Sequence, residues 1–120
     1  MRFCLRPSAK AVVFGACLAI SFAAQGRAFA QGDAKAGRAK AESVCGVCHV
    51  VDGLAKIPEA PNLAGQSENY RIEQINAFKS GDRKNEMMSV VVQDLSPDDI
   101  ENLAAYDSGI EISVGKVPSQ

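Results

Sequence analysis

Tryptophan is absent from this chain, and histidine occurs only once, at residue 49. Beyond residue 30 the aromatics are Tyr70, Phe78 and Tyr106, so a core there must be built mainly from aliphatic side chains. No run looks like the buried strands of an alternating α/β chain, which argues against a thioredoxin-like redox fold. The longest apolar run, residues 11–24, has 14 residues, whereas a bilayer core needs roughly twenty. Basic charge is not in surplus either: 13 Lys and Arg stand against 14 Asp and Glu.

That apolar run follows Arg2, Arg6 and Lys10 and precedes Ala28-Phe29-Ala30, with small residues at the two positions a signal peptidase reads. Residues 1–30 are therefore expected to be a signal peptide cleaved after Ala30, and the product to be exported with no membrane span. Cys17 makes a poor lipid-attachment site, because Phe14-Gly15-Ala16 is a weak lead-in. Cys4 and Cys17 leave with the leader. One small domain, residues 31–120, remains.

Arg2, Arg6, Lys10 and Arg27 also leave with the leader, and no acid does. Residues 31–120 thus carry 9 basic against 14 acidic side chains, a net charge of −5. A nucleic-acid-binding face needs a surplus of Lys and Arg, so that class is set aside. A mildly acidic exported chain suits small molecules or partners with a positive patch. A chain this short buries only a modest core and often leans on a disulfide, a metal or a cofactor.

The chemistry gathers in SVCGVCHVVDG, residues 43–53, which holds Cys45, Cys48 and the single histidine. A structural zinc site needs four ligands, and no further Cys or His follows to complete the set. A structural disulfide would give no reason for His49. The pentapeptide C-x-x-C-H is the attachment signal of a c-type haem. Two thiols add across the two vinyl groups on one porphyrin edge, and the short helical turn between them points the next side chain at the iron. Cys45 and Cys48 are read as the thioether anchors of one haem c, and His49 as its proximal axial ligand. With no second histidine, the soft uncharged donors left for the opposite face are Met87 and Met88. A thioether there favours Fe(II) and raises the reduction potential.

Four stretches extend the pattern: GDAKAGRAKAESVCGVCHVVDG at 32–53, PNLAGQ at 61–66, YRIEQINAFKSGDRKNEMM at 70–88 and LSPDDIENLAAY at 95–106. In this order the chain resembles a class I c-type cytochrome, within the small bacterial periplasmic type whose domain also occurs duplicated in two-haem forms. The resemblance implies an all-α, small cytochrome c fold of about four short helices wrapped around one covalently attached haem. It implies Met88 as the sixth ligand, seven positions before Leu95, with Met87 as the alternative. It places Pro61, rather than Pro58, where a backbone carbonyl accepts a hydrogen bond from the proximal imidazole. Leu63 would line the haem pocket. Arg83 and Asn85 occupy positions where polar side chains meet a haem propionate, brace the methionine loop, or simply face solvent.

Local signals agree with helices. Asp33 is a good N-cap for AKAGRAKAES. Ser67 caps a second helix in which Tyr70, Ile75 and Phe78 fall near helical spacing, with Gly81 as its stop. Ser96-Pro97-Asp98-Asp99 opens a third, with Ile100, Leu103, Ala104 and Tyr106 as its apolar stripe. By resemblance this last helix crosses the first, with Gly37 permitting close approach beside Leu103 and Tyr106. Val90-Val91-Val92 reads as a short helix over the haem edge. After Tyr106, where relatives usually continue with another aromatic or with small residues, Asp107-Ser108-Gly109 ends the helix early. The stretch from about 108 to 120 has no capped helical pattern and is expected to be a loose tail.

The function implied is a periplasmic electron carrier, not an enzyme, whose haem iron cycles between Fe(III) and Fe(II) and whose exposed edge near Cys45 meets other redox proteins. Donor dehydrogenases or reductases and acceptor oxidases or reductases are the partners expected. A haem subunit of a periplasmic dehydrogenase or oxidase complex is the alternative. A haem sensor or enzyme with an open sixth site is a further one.

Overall fold

The computed structural model describes residues 32–118. The expected leader and its cleavage after Ala30 lie outside the described residues. Among those described, all regular structure is helical, and no helix is long and apolar enough to cross a membrane.

Helix α1, Ala34–Lys40, starts where Asp33 accepts the backbone N–H groups of Lys35 and Ala36 at 2.8 and 3.2 Å. Such a cap stabilises a helix by about 1 kcal/mol. The helix then widens into a π-helical turn, Ala41–Cys45, and closes as α2, Gly46–His49. The α-helical winding expected up to Ser43 thus gives way three residues earlier. A π turn inserts one extra residue per turn, which re-aims the side chains that follow and is frequent at functional sites.

Helix α3, Glu68–Ser80, is capped by Ser67 and stopped by Gly81 in the left-handed conformation. Its inward face differs from the apolar spacing in one respect. Ile75 and Phe78 are buried, but Tyr70 is half exposed and Arg71 takes an interior position. Helix α4, Met88–Val91, is a single turn ending at Val92. The Lys79 ammonium donates to the carbonyls of Gln93 and Leu95 at 2.5 and 2.7 Å, tying the segment that follows α4 to α3.

Helix α5, Pro97–Gly109, opens with a full capping box between Ser96 and Asp99. It reaches two residues into the stretch set apart as a tail. Residues 111–118 follow with no regular structure and are exposed.

Helix α5 packs across both α1 and α3. At the first crossing a Cβ on Gly37 would overlap the Asn102 carbonyl oxygen and lie 2.9 Å from Tyr106 Cβ. The close approach is therefore to the backbone of Asn102 and to Tyr106, rather than to Leu103. Leu103, 1% exposed, instead joins Ala41, Ile75, Phe78, Val92, Leu95 and Ile100 in the core, with Cys45, Ile72, Met88 and Tyr106 packed against it. Full burial of a leucine of this kind contributes roughly 1.5–3 kcal/mol.

Candidate functional site

Beside that core lies a cavity of about 340 Å³, within the size range of small-molecule and cofactor sites. The π turn and α2 supply Cys45, Cys48 and His49 to its wall; the loop from α2 to α3 supplies Pro61 and Leu63; the segment from α3 into α4 supplies Arg83, Asn85, Met87 and Met88. The nine side chains singled out in the sequence therefore converge on one cavity. Both thiols are free.

His49 is buried, and its Nδ1 lies 2.9 Å from the carbonyl oxygen of Pro61. A carbonyl only accepts, so Nδ1 carries the proton and Nε2 is left with its lone pair. The acceptor is held in turn. The Gly53 carbonyl accepts the N–H groups of Leu63 and Ala64 at 2.8 and 3.1 Å, and Asn62 Oδ1 accepts from Ala55 at 2.9 Å. Val50, which follows His49, sits at φ 61°, an unfavourable conformation for a β-branched residue, and turns the chain out of α2. Strain of this type gathers at functional sites.

The methionine segment is braced from within. Asn85 Oδ1 accepts the N–H groups of both Met87 and Met88 at 3.0 Å, and the Asn85 N–H donates to Ser89 Oγ at 3.1 Å. Met88 packs against the core, whereas Met87 is 64% exposed. Arg83 donates to Gln74 Oε1 at 2.5 Å and lies over the Phe78 ring, 4.5 Å from its centroid. Asn85 thus braces the methionines, and Arg83 joins the loop to α3.

Sequence reasoning passed over Arg71, which also lines the cavity. It pairs with Asp107 through contacts of 2.8 and 2.7 Å, and both residues are buried. An arginine in a helix full of polar residues gives no inward signal; the only hint was the acid at 107, directly after the apolar stripe of α5. Burial pushes the Asp107 carboxyl above its ordinary value, opposed by Arg71. Burial, aided by Asp107, likewise pushes the Cys45 thiol up to about 11, against the pull of Arg71 and Lys40.

Two free thiols one helical turn apart, an imidazole with one nitrogen already engaged, and thioethers on a separate segment form a donor set suited to a group that brings its own metal. The apolar wall of Leu63, Ile75, Phe78, Val91 and Val92 suits a flat hydrophobic ring.

The comparisons with known proteins agree. Residues 34–106 match the family model described as Cytochrome c. Cytochrome c4 of Pseudomonas aeruginosa is 42% identical over 98 residues, covering 82% of this chain and 48% of that protein. Cytochrome c-554(548) of Halomonas halodenitrificans is 42% identical over 83 residues, covering 67% of this chain and 99% of that protein. Among solved structures, reduced recombinant cytochrome c4 from Pseudomonas stutzeri superimposes with a TM-score of 0.64 at 42% identity, covering 70% of this chain and 48% of that one. The chain spans about half the length of the cytochrome c4 relatives it matches. With its all-helical fold and this run of matched residues, the chain belongs to the cytochrome c family.

Proposed function

We propose that the protein is a periplasmic electron carrier that holds one haem c through Cys45 and Cys48, with His49 and Met88 as its axial ligands. The observation that carries this reading is the convergence of Cys45, Cys48, His49 and Met88 on one largely apolar cavity, with His49 already oriented by Pro61. The bound haem supplies a one-electron Fe(III)/Fe(II) couple.

The chain's own residues do the rest. Cys45 and Cys48 anchor, and His49 offers Nε2 because Pro61 holds the proton on Nδ1. Met88 offers a thioether from a segment that Asn85 keeps in shape. Leu63, Ile75 and Phe78 keep water from the site. If His49 and Met88 both stayed in place through the redox cycle, little would have to rearrange on electron transfer, and no substrate would be transformed. Partners are redox proteins, donor and acceptor, that dock briefly. A net charge of −5 on residues 31–120 favours partners with a basic patch.

The visible spectrum of the oxidised protein, produced in a host that attaches haem in the periplasm, tests the reading. A low-spin haem with the weak far-red band of methionine sulfur on Fe(III) is the expected result. An attached but high-spin haem without that band would overturn the carrier in favour of a sensor or enzyme with an open sixth site.

A further inference from the structure

Arg71 and Asp107 have no role among the ligands and anchors, yet they are the most deeply buried charges described. They are 7% and 3% exposed, and the Arg71 Nε and Nη2 both donate to one carboxylate oxygen, Asp107 Oδ2. Such a pair is an expensive way to fill space, since apolar residues of similar volume often stabilise a protein as well or better.

The pair is also wired to the site. Arg71 lines the same cavity as His49 and Cys45. The Asp107 backbone carbonyl accepts the Gly65 N–H at 2.9 Å, and Gly65 lies in the same α2–α3 loop as Pro61, the acceptor for His49.

We propose that Arg71 and Asp107 form a buried, mutually neutralising charge pair in which each partner cancels the other's effect on the reduction potential of the haem. The inference rests on the haem reading above. Charges in a low-dielectric interior act over longer range than charges in water. Asp107 left alone would stabilise Fe(III) and lower the potential, whereas Arg71 left alone would favour Fe(II) and raise it. Together they largely cancel, and the potential falls between those limits.

The test is the potential of the haem-loaded protein, by spectroelectrochemistry, in wild type, Arg71→Leu, Asp107→Asn and the double variant Arg71→Leu/Asp107→Leu. Denaturant unfolding is followed alongside. The expected result is a higher potential for Asp107→Asn and, measured at a pH high enough to ionise the unpaired Asp107 carboxyl, a lower one for Arg71→Leu. Each change should be about tenfold in the one-electron equilibrium, or ~59 mV. The double variant should return close to wild type with stability retained. If Arg71→Leu does not retain haem, the upward shift in the near-isosteric Asp107→Asn and the return in the double variant still decide. Shifts of the same sign in both single variants, or none, would mark the pair as structural only and overturn the inference while leaving the haem reading intact. A wild-type chain that attaches no haem would overturn both.

Discussion

His49 is held by Pro61 across 2.9 Å, and Pro61 is held in place by Gly53 through the N–H groups of Leu63 and Ala64. Gly53 sits at φ 70°, and a Cβ there would lie 2.6 Å from the Ala64 nitrogen. Gly53→Ala should therefore displace the 61–64 loop and weaken the imidazole hydrogen bond, with a loss of about 1–3 kcal/mol in unfolding free energy. A ligand imidazole that loses its acceptor is less basic and supports Fe(III) less well. The reduction potential should rise, measured on the same preparation as the stability.

Met88 and Met87 are neighbours in sequence but not in environment. Met88 packs on the core at the cavity wall, while Met87 is largely exposed. Met88→Ala should abolish the far-red band, lower the potential and open the iron to added imidazole. Met87→Ala should keep the band and bind added imidazole no better than wild type does. The reverse outcome would assign the sixth position to Met87.

Asn85 accepts from both methionine N–H groups with a single oxygen. Asn85→Ala leaves those donors without this partner and should cost about 1 kcal/mol, as loss of an N-terminal cap does. The consequence for function is a looser segment around Met88. Added imidazole should then compete more effectively for the iron than in wild type, with the far-red band still present in its absence.

The parts of this molecule that were readable in its sequence are those made by neighbours along the chain. Asp33, Ser67 and Ser96 act within three residues of themselves, and Cys45, Cys48 and His49 share one turn. What was not readable depends on distant partners. Arg71 is turned inward by an acid 36 positions away, and Lys79 by carbonyls 13 to 16 positions on. Tyr106 sends its hydroxyl to the Val51 carbonyl, 55 residues back. The π turn at Ala41–Cys45 belongs with them, because nothing local in AESVC asks for an extra residue per turn. Tyr70 shares the helical spacing of Ile75 and Phe78 yet is half exposed, while the neighbouring Arg71 is buried.

Gly37 and Gly109 provide an internal comparison between two helical glycines. A methyl group at Gly37 would overlap the backbone of Asn102 where α1 crosses α5, while one at Gly109 would meet nothing within 4 Å. Gly37→Ala should lower the unfolding free energy by about 1–3 kcal/mol, the range for overpacking a tight contact. Gly109→Ala should leave it unchanged or raise it by up to ~1 kcal/mol, by restricting the unfolded chain. Denaturant midpoints at constant m-value would separate the two.

Asp99 ties the start of α5 both to its own cap and to the end of α1. Its Oδ2 accepts from the Ser96 N–H at 3.0 Å and the Ser96 hydroxyl at 2.8 Å, and its Oδ1 lies 3.0 Å from Lys40 Nζ. The Ser96 N–H first, then Lys40 and the Ser96 hydroxyl, hold this carboxyl below the usual carboxylate range. A carboxyl depressed in the folded state adds stability that is fully present above its unfolded value of about 3.9 and disappears as pH falls through the folded value. Wild type should therefore lose stability on acidification below about pH 4 more steeply than Asp99→Asn, whose side chain does not titrate there. Water reaches both Asp99 and Lys40, so the ion pair itself contributes at most about 1 kcal/mol and weakens with salt. The cap does not depend on that pair: Ser96→Ala should cost about 1 kcal/mol at low and high salt alike. A pH profile of unfolding free energy at two ionic strengths separates these contributions. An Asp99→Asn profile parallel to wild type below pH 4 would show that this carboxylate does not govern the acid limb.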